Sequence, residues 1–217
     1  MLLALSLIGF LTLAAGIVVR WIGRRVDALG RVAPFPKISV GLSLGLALCC
    51  AVPLMVEAWV EHRLEDAAGE IAGGPVQVHC QSVGQAFVDV GPELGFVAWG
   101  ADGVPERSTL IKFGVCGNLR AWLGSTKASP SLDQVVAVHV LTHETMHMVG
   151  ITDEAHAECA AVQRDAAMAV ALGASPQEAQ ALARRYWIEV YPRMPDRYVG
   201  GCGPGGTHDE ALPTPPW

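Results

Sequence analysis

The stretch from Ser131 to Glu158, SLDQVVAVHVLTHETMHMVGITDEAHAE, decides how this chain is read. At its centre His143-Glu-Thr-Met-His147 fits the pattern H-E-x-x-H. On an α-helix, positions i and i+4 share a face, so the two imidazoles point the same way, one turn apart. Two nitrogens so placed reach one Zn2+ at about 2.0–2.1 Å. Glu144 sits beside the first histidine, where its carboxylate borders such a metal and can take a proton from an activated water. The helical context is present. Ser131-Leu-Asp-Gln134, just after Pro130, reads as a capping box. Val135, Val136, Val138, Leu141, Met146 and Val149 follow at helical spacing, and Gly150 ends the run.

A second helix follows after a short turn. Thr152 or Asp153 can cap it, Ala-rich sequence carries it to Leu172, and Gly173 stops it. Ser175-Pro-Gln-Glu178 starts a third helix, with Pro in its first turn, that runs to about Tyr191. A catalytic zinc site takes three protein ligands and leaves one position open. The candidates for the third ligand are Asp153, Glu154, His156 and Glu158. Of these, Glu154 and Glu158 stand four apart at the start of the second helix and face one way.

These residues, over about 131–165, resemble the zincin metallopeptidases. HETMH followed by Glu154-Ala-His-Ala-Glu158 is similar to the gluzincin arrangement, although the gap from His147 to Glu154 is shorter than is usual there. The resemblance implies Glu154 as third zinc ligand and Glu158 as the acid that orients His143, or the two roles exchanged. His147-Met-Val-Gly150-Ile-Thr-Asp153 also resembles the metzincin pattern, which implies Asp153 as third ligand, a sharp turn at Gly150 and Met194 as a Met-turn residue.

Other residues take simpler readings. His139, one turn before His143, reads as a helix-packing histidine, His156 as exposed, and Met146 and Met148 as core. Tyr191, Tyr198, His208 and Asp209 are candidates to line a cleft near the metal, where a Tyr or His can steady an oxyanion.

Upstream, Pro75-Val-Gln-Val-His-Cys80 alternates as a half-buried strand does. Gly95–Trp99 and Thr109–Phe113 are two more strand candidates, joined through turn-rich Gly100–Arg107, and Val115–Leu123 reads as a short helix. Residues 57–72 read as a short charged helix ended by Gly73-Gly74-Pro75, and the Gly- and Pro-rich tail from Val199 as ordered coil. The expected fold class is α+β: a small zincin-like domain with a short sheet and a mainly helical C-terminal half, preceded by two transmembrane helices.

Those two helices account for a composition that is 51% hydrophobic. Met1–Val19 and Ile38–Val56 carry no charge, and 19 helical residues span about 28 Å, close to the roughly 30 Å hydrocarbon core of a bilayer. The expected anchor is residues 1–60, with spans at about 1–19 and 38–58. The loop 20–37 holds Arg20, Arg24, Arg25, Arg31 and Lys37 against Asp27 alone, and acids follow the second run. The positive-inside rule therefore puts the loop in the cytoplasm and the domain 61–217 outside, in a multi-pass protein of the cell membrane.

Only five of the 15 basic residues and two of the 21 acidic ones precede residue 61, which leaves the domain beyond it a net charge of −9. That disfavours nucleic acid as a partner, since phosphates want basic surface. Of six cysteines, Cys49 and Cys50 lie in the second apolar run and read as free. Cys80, Cys116, Cys159 and Cys202 lie in the outer domain. They lack the C-x-x-C spacing of a thiolate site, so they read as two disulfides with three possible connectivities. Their positions favour Cys80–Cys116 and Cys159–Cys202.

The function expected from these readings is a membrane-anchored zinc metallopeptidase. Glu144 is its general base, a peptide or protein its substrate, and the bilayer its support. The alternative is a catalytically silent zincin fold serving as a membrane-bound binding or assembly module.

Overall fold

The computed structural model describes every residue except Met1, Ala28, Val90 and Pro92. Contacts divide the chain into two compact units, Met1–Trp59 and Val60–Trp217.

In the first unit, α1 spans Leu2–Arg24 and is long and apolar enough to cross a membrane. So is α2, Lys37–Ile71, a single helix of 35 residues. Both outrun the charge-free segments. The separate charged helix expected at 57–72 is the continuation of α2, because nothing between Glu57 and Ile71 breaks a helix before Gly73-Gly74. Cys49 and Cys50 are free.

The second unit begins inside α2. Val60, Leu64, Ala67 and Ala68 are buried at the spacing of one helical face and join the core. The acids on that half of α2 serve a sheet edge. Glu65 Oε1 accepts the N–H of Val78 (3.2 Å), and Glu61 Oε1 accepts that of Cys80 (2.7 Å), so the outer side of β1 (Gln77–Cys80) is not left with unpaired donors. A short helix α3 (Val83–Val88), absent from the sequence reading, is closed at its start by a Ser82/Gln85 capping box. Strands β2 (Gly95–Trp99) and β3 (Pro105–Ile111) form an antiparallel hairpin, and β1 pairs with β3 in parallel, giving the order β1-β3-β2. β3 starts four residues earlier than expected and ends before Phe113. The turn is confined to 100–104, where Gly103 has a positive φ, and α4 (Phe113–Leu123) takes up the last residues read as strand.

Helices α5 (Leu132–Met148), α6 (Glu154–Ala171) and α7 (Pro176–Glu189) follow, then one 3-10 turn, Tyr191–Arg193. The Ser131/Gln134 and Ser175/Glu178 capping boxes both form. α5 lies in the middle of the unit, against β2, β3, α4, α6 and α7, and is buried continuously from Ala137 to Met148. Trp122, Leu119, Leu141, Leu182 and Tyr186 are the large side chains packed around it. Two disulfides close, Cys80–Cys116 and Cys159–Cys202. In a chain-entropy account, crosslinks across loops of 36 and 43 residues contribute about 4 kcal/mol each. The second ties down the tail, which Arg164 also grips through both oxygens of Glu210 (2.7 and 2.6 Å).

Candidate metal centre

α5 ends in a Schellman motif. The N–H of Gly150 bonds the carbonyl of His147 and that of Ile151 bonds the carbonyl of Met146, with Gly150 at φ +103°. This closure does two things. It turns the chain so that α6 runs back along α5, with Asp153 capping α6 by accepting the His156 N–H. It also aims the Ile151 carbonyl at His147, whose Nδ1 lies 2.7 Å away. A carbonyl only accepts, so Nδ1 carries the proton and Nε2 keeps its lone pair.

The antiparallel pair sets His147 opposite Glu154, His143 opposite Glu158, and His139 between Glu158 and Asp165. His143 Nδ1 lies 3.1 Å from Glu158 Oε2. The carboxylate fixes the proton on Nδ1 there too and leaves Nε2 free to bind. Glu158 Oε2 also accepts from His139 Nε2 (3.0 Å), and its Oε1 accepts from the Tyr186 hydroxyl (2.6 Å). His139 Nδ1 meets Asp165 Oδ2 at 2.9 Å, and its ring stacks on Tyr186 with centroids 3.6 Å apart.

Three ligand atoms then converge. His143 Nε2 and His147 Nε2 are 3.0 Å apart, and Glu154 Oε2 lies 3.2 Å from the first and 3.5 Å from the second. Glu154 Oε2 and His147 Nε2 offer lone pairs, and so does His143 Nε2 once it gives up its proton; lone pairs so close repel unless a proton or a cation lies among them. Tetrahedral zinc with bonds of about 2.0–2.1 Å sets its ligand atoms about 3.3–3.4 Å apart. The observed separations bracket that spacing, so His143, His147 and Glu154 fit a metal ion. Asp153 is not part of this group, since its carboxylate is spent on the helix cap.

Glu144 turns toward β2 and lines the same cleft as His143, His147 and Glu154. It is buried, and its Oε2 has no hydrogen-bond partner among the described residues. Burial pushes its pKa up to about 7, against His143, which lowers it; Glu154 adds to the rise. β2 leaves room for it: a Cβ on Gly95 would stand 2.9–3.0 Å from the Glu144 side chain, so only glycine lets the strand pass this close. A cleft of about 500 Å³ opens here, lined by β2, by the face of α5 that carries His143 and His147 and by the Met194–Tyr198 segment.

Electrostatics separate the histidines. Burial would lower His139, but Asp165 and Glu158 overcome it and hold its pKa up at about 10, making it an imidazolium. Burial also opposes protonation of His143, and Glu154 and Glu158 bring it to about 9. Burial and the neighbouring His143 hold His147 below the ordinary histidine value. Glu158, despite burial, is held far below the usual carboxylate range by His139 and His143.

His139 packs in the core, as expected of it, yet its ring also bridges the carboxyl groups of Glu158 and Asp165. Asp165 and Tyr186 were not anticipated. The signal for Asp165 was there, since Glu154, Glu158 and Asp165 form a stripe on α6 at offsets of 4 and 7 that matches His139, His143 and His147 on α5. Of the four tail candidates, Tyr198 lines the cleft, its ring centroid 5.8 Å from that of His143. Tyr191 stacks on Trp187, His208 on His156, and Asp209 accepts tail N–H groups. Met194 lines the cleft, as do Glu93 and Arg197, which the sequence reading passed over. The chain matches no family model, no curated protein and no solved structure.

Proposed function

We propose that the protein is a membrane-anchored zinc metallopeptidase of zincin type whose outer unit works outside the cytoplasm. The observation that carries this reading is the convergence of His143 Nε2, His147 Nε2 and Glu154 Oε2 within 3.5 Å, beside a buried carboxylate, Glu144, that has no other task. His143, His147 and Glu154 would hold the ion. Zn2+ bound there supplies Lewis-acid chemistry, polarising a carbonyl and making a water acidic. Glu158 and the Ile151 carbonyl keep both histidines in the tautomer that offers Nε2. Glu144 takes the proton of the attacking water and delivers it to the leaving amine. Its raised pKa suits both directions of transfer, and a nearby cation favours the ionised form from which it begins.

The substrate reading rests on the cleft. β2 is a sheet edge, paired only with β3, and it runs past Glu144. An extended peptide laid along that edge gains main-chain hydrogen bonds and brings its carbonyls to the metal and the base. The Arg-rich 20–37 loop supports the orientation, and the two disulfides support an oxidising compartment for the outer unit.

The test is zinc content and peptidase activity of purified full-length protein, wild type beside His143→Ala. The reading requires about one zinc per wild-type chain, none in the variant, and cleavage of unstructured peptides by the wild type alone. A protein that binds zinc but cleaves nothing is instead the silent binding module.

A further inference from the structure

The outer unit carries an apolar face at the end where α2 enters it. α3, Val83–Val88, buries none of its residues. Phe87 and Val88 are 81% and 82% exposed and Val83 57%; Phe113, which opens α4 and bonds Gln81 just before α3, is 50% exposed, and Leu94, whose carbonyl bonds the neighbouring Lys112, 46%. Five large apolar side chains in one place on an acidic unit are not a neutral surface feature.

Hydrogen bonds inside the unit locate this face. β1 runs antiparallel to α2, for Val78 bonds Glu65 and, two residues later, Cys80 bonds Glu61. At Cys80 the chain is thus level with Glu61 and heading toward Val60. α3 begins three residues further on and is held there. Its C-cap Asp89 takes Lys112 Nζ at 2.6 Å and Gln81 Nε2 at 2.8 Å, and Phe113 N–H bonds Gln81 Oε1 at 3.2 Å. Glu61 lies five residues beyond Val56, the end of the apolar run, or about 7.5 Å along the helix. The headgroup zone on each side of a bilayer is about 5–8 Å deep. Trp59, half exposed, marks the same level with a side chain suited to that zone.

We propose that α3, with Phe113 and Leu94, is a membrane-interface element that dips Val83, Phe87 and Val88 into the leaflet that α2 leaves. The occupant of the face is lipid, because continuity of α2 brings the bilayer surface to that end of the unit. α3 is then a second point of attachment to the lipid. This rests on the reading of α1 and α2 as membrane spans.

The test uses full-length protein in phosphatidylcholine vesicles, in a Cys49→Ala/Cys50→Ala background, with a nitroxide label on Phe87→Cys, on Val88→Cys or on Ala101→Cys. Ala101 lies in the β2–β3 turn, at the opposite end of the sheet, and is exposed. Oxygen partitions into lipid, and a nickel chelate stays in water. We expect the ratio of oxygen to chelate accessibility to be at least about fivefold higher at 87 and 88 than at 101. Equal ratios in protein that resists carbonate extraction overturn the inference and leave the anchor intact. Protein released by carbonate overturns the anchor and this inference with it. A label at 87 that is shielded from both reagents and broadened by a second label means that another copy of the chain covers the face, which also overturns it.

Discussion

Nδ1 of His143 lies 3.1 Å from Oε2 of Glu158, while its Nε2 faces Glu154 at 3.2 Å, so the two acids of α6 address opposite edges of one imidazole. They therefore have different tasks. On the proposed reading Glu154→Ala removes a ligand and should leave no stoichiometric zinc. Glu158→Ala removes the group that orients a ligand and should weaken zinc affinity about 10–100-fold while leaving a site that fills at high zinc. Metal titration of both variants decides this, and normal binding by Glu154→Ala would exclude it as third ligand.

Glu144→Gln keeps the shape and loses the proton acceptor. Bound zinc should stay near one per chain while peptidase activity falls at least about 100-fold. His147→Ala, by contrast, should lose the metal itself. Wild-type turnover by Glu144→Gln would falsify the assigned base.

Zinc affinity should rise with pH and then level off. In protein stripped of metal, His143 holds a proton up to about pH 9, and zinc must displace it, whereas His147, held below the ordinary histidine value, is already neutral around pH 8. Each unit of pH below about 9 should therefore cost about tenfold in apparent affinity, and the curve should flatten above. Competition with a chelator of known proton affinities reads this slope. A flat profile from pH 7 to 9 contradicts the proton on His143.

His139→Leu should destabilise the chelator-treated protein by about 3–5 kcal/mol, because it leaves Glu158 and Asp165 buried without their shared cation. Urea unfolding monitored by circular dichroism measures it. A loss under 1 kcal/mol would mean that the carboxylates find other partners.

A reporter fused after Trp217 should be active only as an extracytoplasmic enzyme, and non-reducing peptide mapping of the same material should recover Cys80–Cys116 and Cys159–Cys202. Cytoplasmic reporter activity reverses the orientation.

The shared face of His143 and His147 on α5 was legible in the bare chain because helical spacing is a local property. His143 and His147 must share a face once Ser131 and Gln134 cap the helix, whatever surrounds it. The two apolar helices were legible for the same reason, being continuous runs, although their ends were not, since helical propensity persists past the last apolar residue. Two disulfides followed from counting. Tertiary structure alone decided the rest. Which oxygen of α6 meets which nitrogen of α5 depends on how closely the Schellman turn at Gly150 folds the helices together, and a slide of one helical turn there would bring Glu158 to the place of Glu154. That Gly95 makes room for Glu144 and that His139 bridges two buried carboxylates are contacts between elements distant in sequence. No spacing within a single helix or strand encodes them, because each arises from the packing of one element on another.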